Sequence, residues 1–326
     1  MYRLGTIECA TGEAKTGELT IAHAMDGRRV TIPIAVVGGS RPGPTLLVAG
    51  GLHGIEIVTI EILRILLRET LDPAAVAGTV VLAPQLNPWA FHASHRLTPH
   101  DAQDMNRVFP GKTGSTLTGH AAQTITRELL DRADYLIDCH SCNPPSLHFT
   151  IVSEDGDPDV AQRSIAMARA FGYPVIFASS DHAGTARGYF VSCGKPAITP
   201  EFVFSRRMDP VSVTTGVVGV QNVMKSLSML DGAIETISVA GHFAEALDYR
   251  VLSAKQGGIC RLLKTCGDRV KAGEALVSLH GIWGDEIETI TAPVDGLLLA
   301  YPLQGNQAAA SGDKVAYLAY DNGRKS

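Results

Sequence analysis

The chain has 326 residues, enough for about two domains at roughly 150 residues each. Its 45% hydrophobic content excludes disorder as the default state, and no apolar run approaches the ~18 residues of a membrane span. With 28 basic against 33 acidic residues the net charge is −5, which excludes the strongly basic face of a nucleic-acid binder.

The N-terminal stretch MYRLGTIECATGEAK mixes charges and glycines with no apolar signal-peptide core, so a cytoplasmic protein is expected. Six scattered cysteines fit reduced thiols in such a compartment. Cys139 and Cys142 have C-x-x-C spacing, but no second pair completes a four-ligand site. They are expected to be two small semi-buried side chains after a strand.

From about Thr31 to Val220, short apolar runs alternate with helical periodicity. Strands are predicted over Thr45–Ala49, Thr79–Ala83, Tyr135–Asp138, Phe149–Val152, Val175–Ala178 and Ala197–Phe204. Helices are predicted over Glu56–Thr70, Gly119–Asp131, Pro158–Phe171 and Thr215–Leu230. This alternation predicts an α/β domain with a mostly parallel central sheet. After about Ile237 the texture changes to short alternating stretches punctuated by Gly-Asp turns: Ile259–Leu263, Ala275–Leu279, Glu288–Ala292, Gly296–Ala300 and Lys314–Ala319. A small all-β unit is expected there, dividing the chain into 1–237 and 238–326.

The sharpest local feature is Gly50-Gly51-Leu52-His53-Gly54-Ile55-Glu56, which leaves a predicted strand at its carboxyl end and opens a helix. Ligands of open α/β sheets bind at that edge. His53 and Glu56, three apart, can turn to one point, and imidazole plus carboxylate suit a borderline cation such as Zn²⁺. The same H-x-x-E spacing recurs at His242 and Glu245 with no strand leading into it, and reads there as a surface pair.

A catalytic metal site needs a third protein ligand. His140 is the favoured candidate, because it too ends a predicted strand, with Asp138 two residues earlier as a candidate supporting acceptor. His148 and His182 are less well placed, and His92, His95 and His100 fall in a long loop. Glu201 interrupts an otherwise apolar strand, and a buried carboxylate calls for a role such as general base; an edge strand facing water is the alternative that Pro200 leaves open. The irregular stretch from Asn87 to Gly111 carries Arg96, Asn106 and Arg107, and an arginine there can fork onto a carboxylate or polarise a carbonyl.

Taken together, these residues resemble the succinylglutamate desuccinylase/aspartoacylase family of carboxypeptidase-like zinc hydrolases. The resemblance runs in order through His53-Gly-x-Glu56, Asn87-Pro-x-Ala90, Arg96-x-Thr-Pro, Asp104-Met-Asn-Arg-x-Phe-Pro-Gly111, Asp138-x-His140 and Thr199-Pro-Glu201. It implies a carboxypeptidase-like fold followed by a small barrel or lipoyl-like β domain. It also implies one Zn²⁺ per chain on His53, Glu56 and His140, with Glu201 as general base and Arg96 polarising the scissile carbonyl. Asn106 and Arg107 match the pair that holds a substrate carboxylate. The implied activity is removal of an acyl group from a small N-acyl amino acid.

Two departures argue against a dicarboxylate substrate. The stretch Asn306–Ala310 lacks the tyrosine that binds an acidic side chain in aspartoacylases, and no second substrate arginine is found by spacing. Met105 replaces the usual Leu, a volume-conserving change.

Rival readings are a metallocarboxypeptidase acting on short peptides and a non-catalytic zinc-binding or carrier-type protein. A capping β domain disfavours the first. For the second, the hairpin region Gly281–Glu286 carries no lysine for a lipoyl or biotinyl group. A sheet edge or the β unit offers a surface for a homo-oligomer; no nucleic-acid or membrane partner is expected.

Overall fold

The computed structural model describes residues 1–153, 156–178, 183–239, 247–303, 307–321 and 323. A ribbon of β1 (Tyr2–Leu4) and β2 (Ile7–Cys9) precedes the antiparallel pair β3 (Glu13–His23) and β4 (Arg29–Gly38). The α/β layer follows as β5 (Arg41–Ala49), α1 (Ile57–Ile65), β6 (Ala77–Ala83), α2 (Pro88–His92), α3 (Leu117–Ile125), β7 (Tyr135–Asp138) and β8 (His140–Ser141). It continues with β9 (Phe149–Ser153), α4 (Pro158–Phe171), β10 (Val175–Ala178), α5 (Ala186–Ser192), β11 (Ala197–Phe202) and α6 (Pro210–Ser226). Strands β12 (Leu247–Ser253), β13 (Gly258–Leu262), β14 (Arg269–Val270), β15 (Ala275–His280), β16 (Glu286–Thr291), β17 (Gly296–Ala300), β18 (Ala308–Ala309) and β19 (Lys314–Tyr320) complete the chain.

One sheet runs in the order β14-β17-β19-β12-β10-β9-β11-β7-β5-β6-β4-β3, with β8 also against β11. Its centre is parallel through β6, β5, β7 and β11, and again through β9, β10 and β12. The pair β11–β9 is antiparallel, as are the N-terminal pairs, so the sheet is mixed. The unbroken apolar runs of β5 and β7 arise because both faces are covered. Leu46 and Val48 enter one core with Ile62, Phe171 and Val220 of α1, α4 and α6. Leu47 and Ala49 point the other way, against Ile125 of α3 and Phe190 of α5.

The C-terminal unit adds a four-stranded antiparallel sheet, β16-β15-β13-β18, around its own core of Cys260, Leu276, Leu279, Leu298, Tyr301 and Val315. It is fused to the α/β layer: β12 pairs in parallel with β10, and β12 pairs with β19 on its other side. A seam of Leu147, Phe149, Ile176, Leu297, Leu299 and Ala319 fills the join. The expected carboxypeptidase-like α/β architecture with an appended β unit is therefore present.

Some elements exceed the sequence expectations. Helix α6 begins at Pro210 rather than Thr215, because the Asp209 carboxylate accepts from the Ser212 N–H at 2.8 Å and Pro210 occupies the first turn. Strands β3 and β12 and helix α5 were not expected; charges interrupt the two strands, and α5 has only seven residues with Gly188 among them. Among the described residues no helix is long and apolar enough to cross a membrane.

Candidate active site

His53 and Glu56 lie on the turn between β5 and α1. Gly54 between them has no alternative, since a Cβ there would come within 2.0 Å of the Ala90 backbone of α2. Gly51 holds φ +58, a conformation few other residues adopt. Glu56 caps α1 with no side-chain bond to the helix, which leaves its carboxylate free to face inward. His140 arrives at the same carboxyl edge of the sheet from β8, which follows the parallel neighbour β7.

The three side chains converge. Glu56 Oε1 lies 2.7 Å from His53 Nδ1, and Oε2 lies 3.0 Å from His140 Nδ1. All three residues are buried, and one donor atom from each falls within 4.8 Å of the others. Burial alone would raise the Glu56 carboxyl, but the two imidazoles outweigh it and hold it down at about 2. For His140, burial opposes protonation, yet the Asp138 and Glu56 carboxylates raise it well above its ordinary value. Two imidazole nitrogens and a carboxylate, desolvated and convergent, are a donor set that fits a borderline divalent cation.

The loop after α2 supplies the surrounding layer. Asp104 caps the short turn Met105–Arg107, accepting from the Asn106 N–H at 2.9 Å, while Met105 is fully buried. The same carboxylate lies 3.0 Å from His53 Nε2 and accepts from Arg96 Nε and Nη2 at 3.1 and 2.9 Å. Burial pushes the Asp104 carboxyl up, but His53 and Arg96 win and hold it far below the usual range. Asn106 places Nδ2 3.2 Å from His140 Nε2, and its Oδ1 accepts from the Ala186 N–H at 3.0 Å. Arg107 donates to the Asn106 carbonyl at 2.7 Å and has no carboxylate partner among the described residues.

Glu201 sits on β11 directly beside His140 in the β8 register, so the edge-strand alternative does not hold. Pro200 is tolerated in this central strand because its missing N–H falls where pairing passes from β7 to β8. Burial raises the Glu201 carboxyl to about 7, with His140 opposing and Glu56 adding. Cys142 lies nearby, its Sγ 3.6 Å from Glu201 Oε2, whereas Cys139 is buried in the core; both are free thiols.

All seven candidate residues (His53, Glu56, His140, Glu201, Arg96, Asn106 and Arg107) line one cavity of about 630 Å³. His148 does not join them; its Nε2 meets Ser212 Oγ at 2.8 Å under α6. His92 and His100 lie off the cavity, and His95 only borders it. His182, His242 and Glu245 lie outside the described residues.

Residues 42–227 match the family described as the Succinylglutamate desuccinylase/Aspartoacylase catalytic domain. The chain belongs to this family. The match covers the α/β layer from β5 to the end of α6. Among curated relatives, the chain is 26% identical over 299 residues to the N-alpha-acetyl-L-2,4-diaminobutyric acid deacetylase of Halomonas elongata, covering 89% of this chain and 86% of that protein. Among solved structures it is similar to the product-bound ectoine utilization protein EutE (DoeB) of Ruegeria pomeroyi, at 25% identity and TM-score 0.84 over 96% and 97% of the two chains. A succinylglutamate desuccinylase/aspartoacylase of Rhodobacter sphaeroides gives 26% identity and TM-score 0.84 over 98% and 100%.

Sequence reasoning missed four further residues of this family member's cavity: Arg187, Tyr249, Lys314 and Tyr317. Arg187 is 3% exposed; its Nε donates to Thr199 Oγ1 at 3.0 Å and its Nη1 to Ser153 Oγ, with no carboxylate partner among the described residues. Its only local signal is the Thr185 cap, which accepts from the Gly188 N–H at 2.9 Å. The other three come from β12 and β19. Arginine and phenol are thus present in the cavity, from positions other than those where the resemblance led one to look.

Proposed function

We propose that this protein is a zinc-dependent amidohydrolase that removes the acyl group from a small N-acyl amino acid. The observation that carries the reading is Glu201, a carboxyl pushed up to about 7 beside the buried His53–Glu56–His140 cluster, where a general base is needed. One Zn²⁺ held by that cluster would supply Lewis acidity, which acidifies a water from about 15.7 toward about 7 and polarises a carbonyl.

In this reading Glu201 takes the proton of the attacking water and returns it to the leaving amine. Arg96, held by Asp104, donates to the amide oxygen as negative charge develops there. Arg107 and Asn106 hold the α-carboxylate, and Arg187 offers a further donor to a second acceptor group of the substrate. The curated relative named as a diaminobutyric acid deacetylase and the product-bound relative support a small N-acyl amino acid. So does the C-terminal unit, whose Tyr249, Lys314 and Tyr317 wall the cavity and disfavour a peptide groove.

The test is a screen of N-acetyl and N-succinyl amino acids beside short peptides, with zinc-loaded and chelator-treated enzyme. At least one N-acyl amino acid is expected to be hydrolysed in preference to every peptide, with the activity lost on chelation and restored by zinc. Preferred peptide cleavage would move the assignment to a carboxypeptidase.

A further inference from the structure

Asp138 ends β7 with 1% of its surface exposed, and neither carboxylate oxygen has a hydrogen-bond partner among the described residues. Its surroundings offer little compensation. Ala49 sits beside it on β5, and Cys139 turns into the core. The Arg187 guanidinium of α5 is bonded to Thr199 and Ser153 instead. A buried carboxylate whose ionic contact is not completed by an aligned hydrogen bond is costly, so its retention points to a state in which a donor is turned squarely onto it.

One donor is near. His140 Nε2 lies 3.2 Å from Asp138 Oδ2, close enough for a hydrogen bond but not aligned as one. Residues 138 and 140 share one side of the chain because strand side chains alternate. In the structure His140 Nδ1 meets the Glu56 carboxylate at 3.0 Å, while Nε2 lies 3.2 Å from both Asp138 Oδ2 and the Asn106 amide nitrogen. If Nδ1 gives its lone pair to an ion, the ring proton belongs on Nε2. Asn106 cannot accept it, since its Oδ1 is committed to the Ala186 N–H. Asp138 can.

We infer that Asp138 is a positioning residue, the acceptor that holds His140 with Nε2–H turned toward its carboxylate and Nδ1 turned toward the metal. The Asn106 amide is then released from His140 to face the cavity. The inference rests on the proposed metal reading of His53, Glu56 and His140.

The test compares wild type, Asp138→Asn, Asp138→Ser and His140→Ala as full chains. Zinc affinity is measured by competition with a chromophoric chelator, thermal unfolding is followed with and without zinc, and the His140 tautomer is read from two-bond ¹H–¹⁵N spectra. Both Asp138 variants are expected to bind zinc about 10–100-fold more weakly. They should lose more thermal stability relative to wild type with zinc than without it, because the acceptor for the metal-holding orientation of His140 is gone. Unchanged zinc affinity overturns the inference. So does a loss of stability equally large with and without zinc, or failure to fold, either of which makes Asp138 a purely structural residue. Failure of wild type itself to bind zinc sinks the metal reading first, and this inference with it.

Discussion

The two walls of the cavity differ in origin and in chemistry. One is made by the strand ends of β5, β8 and β11 with the Asp104 loop; its His53, Glu56, His140 and Arg96 are all engaged with one another or with Asp104. The other is made by α5 and the C-terminal strands, and Arg187 and Lys314 on it have no carboxylate partner among the described residues. A wall whose charges are mutually satisfied is preorganised for chemistry. A wall whose cations lack carboxylate partners is suited to holding an anionic ligand. The family match ends at residue 227, before β12 and β19. Tyr249, Lys314 and Tyr317 of the second wall therefore lie beyond the match, whereas Arg187 of the same wall lies within it.

Glu201 is the residue of the first wall whose replacement should cost most. Glu201→Gln keeps the shape and loses the base, so turnover should fall on the order of 10³-fold while zinc content stays at the wild-type level. Metal analysis beside the rate assay checks both. The wild-type pH profile is a second check. A carboxyl raised to about 7 gains its basic form as pH rises, so kcat/KM should decline on acidification below about 7. Bound zinc, being positive, moves that limb to lower pH. A full-rate Glu201→Gln enzyme would remove Glu201 from the chemical wall.

A smaller effect probes the scaffold behind that wall. His148 is buried between β9 and α6, and burial lowers it to about 4, with Asp209 opposing weakly. An unfolded histidine titrates near 6.5, so between those values the unfolded chain binds the proton and the folded chain does not. Stability is therefore intact above pH 6.5 and is lost as pH falls toward about 4, about 3 kcal/mol in all. Denaturant unfolding across that range should show wild type losing its advantage over His148→Gln. A constant difference between the two would mean that the imidazole is not held neutral.

The first wall was legible because its signals are local. His53 and Glu56 are three residues apart around an obligatory Gly54, and Asp138 and His140 are two apart at a strand end. Glu201 stood out as a lone carboxylate in an apolar strand. The second wall was not legible, because its residues carry no spacing to one another. Tyr249 and Tyr317 look like ordinary strand aromatics, and only the pairing of β12 between β10 and β19 brings them to the cavity. Arg187 was hidden for a different reason: its helix is too short to show a period.

The separation of the two walls is sharpened by Lys314, at the start of β19. Desolvation and the neighbouring Arg107 and Arg96 lower its ammonium, and it has no carboxylate partner among the described residues. Although partly desolvated, the side chain remains exposed, so its attraction for an anionic ligand is worth about 0.2–1 kcal/mol. Lys314→Ala should therefore raise KM by up to about fivefold and leave kcat unchanged, because the residue touches none of the groups that move protons. The effect should shrink at high salt, as a screened surface charge requires. If kcat falls in proportion instead, the C-terminal unit takes part in the transition state, and the division between reacting and selecting walls is wrong.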